Sequence, residues 1–146
     1  RLFRGTKSVP GHQLAAQLAR NGGEDNAFTT EDYTAFYEQI AHDRLKRAME
    51  LEADRMANLD LSDANVNTER DVVLEERRLR IENSPQALAS EQVDAALFLS
   101  HPYGRPVIGW PGEIRHIGRA EAQDFYSHHY APNNAILVVD GDLPVD

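Results

Sequence analysis

Apolar positions recur at three- and four-residue spacing over most of this chain and alternate over one stretch only, which predicts helices arranged around a little sheet. Residues 12–21 carry Leu14 and Leu18 four apart in an alanine-rich run that follows Val9-Pro10-Gly11 and is closed by Gly22-Gly23, so a short helix is expected. His12, alone at its start, reads as an exposed side chain. Residues 24–30 and 33–40 are rich in Thr, Tyr and Phe and flank Glu31-Asp32, the pattern of a β-hairpin. Alternation puts Tyr33, Ala35 and Tyr37 on one face of its second strand and Thr34, Phe36 and Ile40 on the other.

Asp43 is placed to cap a helix on which Leu45, Met49, Glu52, Met56 and Leu59 share one side, both methionines reading as core. After a polar break at 61–65, a helix is expected over 66–83. Ser84-Pro85 forms a cap and first helical position for a further helix through Leu88, Val93 and Leu97, stopping at His101-Pro102. Residues 101–118 form a long connection rich in proline and glycine, of a length often tied to function. Residues 119–130 read as a helix with Phe125 on its apolar side, and AILVV at 135–139 as a buried strand ended by Asp140-Gly141-Asp142. The order predicts an α+β fold, a mostly antiparallel sheet with helices layered on one face. Three strands make a thin sheet, which calls for completion by further chain or by a second copy.

A net charge of −9 with dispersed basic residues argues against a nucleic-acid surface. The chain has no cysteine, so any zinc would be held by histidine and carboxylate. No apolar run reaches the ~20 residues that cross a bilayer, and no signal peptide is visible.

The charges of the helix over 66–83 are the unusual feature. Glu69, Val72, Val73, Glu76 and Leu79 fall on one stripe, although Leu74 and Ile81 lie off it. A carboxylate on a buried stripe must be paired or bound to a metal. Arg80, four residues after Glu76, offers the plain alternative of an i,i+4 ion pair. Arg77, Arg78 and Arg80 otherwise suit the negative end of the helix.

Taken together, LFRGT at 2–6, NGG at 21–23, NAFTT at 26–30, ERDVVLEE at 69–76, HPYG at 101–104 and YAPNN at 130–134 resemble the pitrilysin/insulinase family of zinc peptidases, nearly end to end and in order. The family's H-x-x-E-H motif is absent from the sequence. The resemblance implies that its second histidine falls one residue before Arg1 and that the chain starts just past that motif. It further implies a partial peptidase N-terminal domain over 1–146, with Glu76 as the third zinc ligand and Glu69 supporting the site. The general-base glutamate would lie upstream, and Asn26 and Ala27 would lie on an edge strand that binds substrate peptide by strand addition.

The expected activity is zinc-dependent endopeptidase cleavage of extended peptides, with a second domain or partner subunit of the same family closing a chamber, and the setting leans towards the bacterial periplasm. The chain alone, with one carboxylate ligand, is expected to hold no zinc and to be inactive. His128 and His129 are adjacent, and His42, His101 and His116 are scattered, so none is expected to replace the missing ligands. The alternative is a non-catalytic partner that helps form a chamber or scaffold. A third reading is an acidic interaction domain.

Overall fold

The computed structural model describes residues 5, 6, 8, 9 and 13–143, without the side chains of Leu14 and Ala15. His12 and the Pro10-Gly11 turn lie outside the described residues. The fold is mixed α and β, with an antiparallel hairpin as the sheet among the described residues. The chain forms two compact units.

The first unit gathers the described residues of Arg1–Ala27, Phe36–Leu61 and Gln123–Asp146. Helix α1, Gln13–Arg20, ends where the Gly23 N–H donates to the Leu18 carbonyl and the Gly22 N–H to that of Ala19, with Gly22 at φ +72°. That backbone conformation suits glycine and turns the chain sharply into strand β1, Glu24–Thr29. Strand β2, Thr34–Gln39, runs back beside it, and a 3-10 turn at His42–Arg44 leads into α2, Leu45–Asn58. Val9, Leu18, Ala48 and Leu51 form the buried cluster, with Ile40 packed against it.

Along β2 and its flanks Phe36, Glu38 and Ile40 are half-buried while Tyr33 and Tyr37 are exposed, as the alternation predicts, but near the turn it fails, with Thr34 exposed and Ala35 half-buried. Arg55 of α2 is buried. Its guanidinium carbon lies 3.8 Å from the centroid of the Phe36 ring, and its Nε donates to Glu52 at 3.0 Å. Thr6 is also buried, and its hydroxyl bonds to Asp54 while accepting from the Val9 N–H at 3.0 Å.

Several expectations for this unit fail. Asp43 lies inside the 3-10 turn and caps nothing, because that turn puts Arg44 at the N-cap of α2. The buried face of α2 is Ala48, Leu51 and Arg55, and Met49 is exposed, because Arg55 turns inward to stack on Phe36. On the 119–130 helix, Tyr126 and Tyr130 are half-buried and Phe125 is exposed: the Tyr126 hydroxyl donates to the Arg55 carbonyl at 2.9 Å and sets which side faces in. The AILVV run has the composition of a strand and no strand forms there; Ile136 is 93% exposed. A strand needs a neighbour to accept its hydrogen bonds, and the described residues pair none with it.

The second unit comprises Phe28–Ala35 and Ser62–Ala122. Helix α3, Asp63–Arg77, begins earlier than the hydrophobic pattern predicts, with Ser62 extended at its N-cap. It passes into a π-helical turn, Arg78–Glu82, where the Asn83 N–H reaches back five residues to the Arg78 carbonyl. The Ser84 hydroxyl then accepts from the Ala87 N–H at 3.2 Å and starts α4, Pro85–Leu97, as the Ser-Pro signal predicts. Helix α4 stops at Leu97, short of His101, with a 3-10 turn at Pro102–Gly104 beyond it. The long connection contains a short helix, α5, Pro111–His116, which packs on α3 through buried Ile114. Helix α6, Arg119–His129, starts in this unit and continues into the other.

Candidate metal centre

The face of α3 that carries Glu69 and Glu76 is less buried than the sequence stripe suggests. Val72 and Leu79 are exposed, while Val66 and Arg77 are the buried residues of the helix. The buried side is therefore rotated away from the predicted stripe, and a charged residue, Arg77, shares it with Val66 at the end of the helix. Glu69 and Glu76 are half-buried on the flank.

The Glu76 side chain is 25% exposed, and Arg80, 66% exposed, brings Nη1 to 2.9 Å from its Oε1. The i,i+4 pair anticipated as the plain alternative is thus present. An exposed partner can leave without stranding a buried charge, so the pair does not prevent the carboxylate from serving elsewhere.

Arg77, next in sequence, is fixed in a different way. Its Nη1 and Nη2 donate to the two carboxylate oxygens of Glu91 on α4 at 2.8 and 2.7 Å, and Nη1 also donates to the Gly109 carbonyl at 2.9 Å. These bonds hold the guanidinium further above its ordinary pKa, Glu91 being the main cause. The pair is not legible in the sequence, because Arg77 and Glu91 lie fourteen residues apart on different helices, a spacing with no local signature.

A zinc ion bound by imidazole and carboxylate needs three protein groups converging on one point. Glu76 fits one of those parts, as a half-covered oxygen donor with a displaceable partner. Among the described residues no three His, Asp or Glu side chains gather into such a group. Four of the described histidines are engaged locally: His101 Nδ1 accepts from the Tyr103 N–H at 3.2 Å, His116 and His128 face the Gly112 and Asp124 carbonyls, and the His129 ring lies 4.3 Å from that of Phe125.

The hairpin supplies a second feature. The Thr30 N–H donates to the Tyr33 carbonyl, and the hydroxyls of Thr29 and Thr34 meet at 3.1 Å across the strands. With Thr30 and Tyr33 a hydrogen-bonded pair, the alternation of the antiparallel ladder turns the N–H groups of Glu24, Asn26 and Phe28 towards β2 and those of Asp25, Ala27 and Thr29 away from it. The Ala27 N–H is met instead by the Asn26 side-chain oxygen at 2.9 Å.

Residues 2–110 match the family described as insulinase, peptidase family M16. Over 145 residues, 99% of the chain, it is 36% identical to an uncharacterized zinc protease of Mycobacterium tuberculosis, of which it covers 33%. It is 31% identical over 141 residues, 97% of the chain, to cytochrome b-c1 complex subunit 1 of Bos taurus mitochondria, of which it covers 29%. A crystal structure of a protease from Helicobacter pylori superposes on 91% of the chain with TM-score 0.86 and 30% identity, over 32% of that protein. The chain spans about a third of the length of these relatives. With the ERDVVLEE helix, the NAFTT strand and the match over 2–110 in agreement, the chain belongs to the insulinase family, peptidase family M16.

Proposed function

We propose that the chain is part of the N-terminal domain of a zinc-dependent endopeptidase acting on extended peptides, with Glu76 as the carboxylate ligand and Glu69 as the residue that orients the site. The observation that carries this reading is the state of Glu76, a half-covered carboxylate on the flank of α3 whose partner Arg80 lies in solvent. Bound zinc would polarise the scissile carbonyl and lower the pKa of its water. The general base is assigned to the glutamate of an H-x-x-E-H motif outside this sequence. Asn26 and Ala27 lie on β1, at whose outer edge, where the Ala27 N–H turns away from β2 beside the Asn26 side chain, an extended peptide can add main-chain hydrogen bonds. A second domain or subunit of the same family would close over the substrate.

The 146-residue chain alone is expected to hold no zinc tightly and to cleave nothing, since one carboxylate supplies one donor. The test is metal analysis and peptide cleavage with the full-length protein and its Glu76→Gln variant. Loss of zinc and of cleavage in the variant is expected; a variant that keeps the parent's zinc content overturns the ligand assignment. The similarity to a cytochrome b-c1 complex subunit favours a second reading, a non-catalytic partner or scaffold. A full-length protein that purifies without zinc, takes up none and cleaves nothing would decide for it.

A further inference from the structure

Arg77 is the most buried charge among the described residues of α3, and its setting is elaborate for a helix-end arginine. It is 2% exposed, and the Glu91 side chain is 7% exposed. The guanidinium joins three pieces of the second unit: the end of α3, the middle of α4 through both oxygens of Glu91, and the loop before α5 through the Gly109 carbonyl. Gly109 stands at φ +88°, a conformation that favours glycine, and this aims its carbonyl at Arg77. The Trp110 ring centroid lies 6.0 Å from the guanidinium carbon, and Nε, buried without a hydrogen bond, faces Glu82 at 3.5 Å.

A buried ion pair is weak evidence for stability, because apolar residues of similar volume often serve as well; fixing one geometry is its better-attested use. Here the geometry fixed is that of the neighbouring residue. Glu76 precedes Arg77 by one position, about 100° around the helix, and α3 gives way to a π turn at Arg78. In the π turn the backbone bonds reach back five residues and not four, so the ladder changes register just past Glu76, and the Arg77 clamp ties that junction to α4 and to Gly109. We propose that Arg77 and Glu91 are positioning residues, which set the angle at which Glu76 presents its carboxylate to the metal. This inference rests on the assignment of Glu76 as a ligand.

The experiment uses the full-length protein. Zinc affinity is measured by chelator competition, and the visible absorption of the cobalt-substituted protein reports the coordination geometry. Glu91→Gln and Arg77→Lys, which removes the bidentate fork and keeps the charge, are each expected to weaken zinc binding about 10- to 100-fold and to change the cobalt spectrum, with far-ultraviolet circular dichroism unchanged. If both variants fold and bind zinc within about twofold of the parent, with the parent's cobalt spectrum, the positioning role is overturned, since that change is far below the outer-shell range. Unfolding of both overturns it too, by making the pair a stability element. Glu76→Gln separates the two ideas: if it binds zinc like the parent, the ligand reading itself falls; if it loses zinc while the other variants keep it, only the positioning role falls.

Discussion

Arg80 Nη1 lies 2.9 Å from Glu76 Oε1, one turn apart at the junction of α3 with the π turn. Pairs of this kind contribute about 0.3–0.5 kcal/mol, so Arg80 holds the carboxylate weakly. Arg80→Ala is therefore expected to lower unfolding free energy by no more than about 0.5 kcal/mol and to raise the zinc affinity of the full-length protein by no more than about twofold. Denaturant unfolding and chelator competition measure the two effects. A tenfold loss of zinc affinity would make Arg80 a support for the ligand and contradict its role as a displaceable partner.

Arg55 is the most heavily engaged cation among the described residues of the first unit. It pairs with Glu52 through two nitrogens, stacks on Phe36 and lies under the hydroxyl that Tyr126 donates to its carbonyl. Replacing it by leucine leaves Glu52 beside Glu38 with no cation between them. Breaking a buried pair by removing one partner costs about 3–5 kcal/mol, and partial exposure of Glu52 puts the expected loss for Arg55→Leu near the lower end, about 3 kcal/mol. Equilibrium urea unfolding gives the number, and a loss under about 1 kcal/mol, the size of a surface pair, would mean that the stack and the pair are incidental.

What could be read from the sequence was local. Ser84-Pro85 announced its cap, Gly22-Gly23 its helix end, and the hairpin its turn and faces, because each depends on residues within a few positions. What could not be read depends on charged residues going inside or on partners far along the chain. Arg55 and Arg77 rotate the buried faces of α2 and α3 away from the stripes that methionine, valine and leucine suggest, since each finds a carboxylate that a hydrophobic pattern does not register. The 135–139 run has strand composition, but composition carries no information about which strand would pair with it. For the site, Glu69 and Glu76 stood out as oddly placed charges; Glu91, which fixes the residue beside Glu76, gave no signal in the sequence at all.

Glu38 makes the stability of the first unit fall as pH rises from about 4.5 to about 8. Burial, then the hydrogen bond with Glu52 and that group's negative charge, push its pKa up to about 8 against the pull of Arg55, with Asp25 adding a smaller push. The folded state therefore keeps a proton that the unfolded chain, with a carboxyl near 4.5, has already released. Stability from this group is full below about 4.5 and falls as pH rises towards about 8, by at most about 1.4 kcal/mol per pH unit. Asp54 acts in the opposite sense and in the acid range: hydrogen bonds from Thr6 and Asn58 hold it below 3.8, so its contribution is lost as pH falls through that region. Glu38→Gln keeps a donor for Glu52 and removes the titration. Its stability is expected to vary less than the parent's between pH 5 and 9 and to exceed the parent's at pH 9, as read by urea unfolding at each pH, in line with proton linkage. Parallel profiles for the two proteins would rule the linkage out.

The ladder register makes Ala27 a position where substrate binding and hairpin stability separate. Its N–H points away from β2 and is met by Asn26 Oδ1 at 2.9 Å, so proline there removes no bond to the neighbouring strand. Proline is tolerated at such outward edge positions and disruptive where the N–H belongs to the ladder. At Phe28 the N–H turns inward, so Phe28→Pro removes a cross-strand bond and leaves its acceptor unpaired, which is expected to destabilise the fold by about 1–3 kcal/mol. Ala27→Pro is expected to change stability by less than about 1 kcal/mol while removing one main-chain donor from the edge, which weakens an extended peptide about 5- to 10-fold for a net hydrogen bond of about 1 kcal/mol. Fluorescence anisotropy with a labelled unstructured peptide, using the full-length protein in the presence of chelator to prevent cleavage, measures the affinity. If Ala27→Pro binds the peptide as tightly as the parent while Phe28→Pro behaves as stated, the register is right and the β1 edge is not where the peptide adds. If Ala27→Pro instead unfolds the hairpin, the register is wrong, and Ala27 belongs to the ladder with β2.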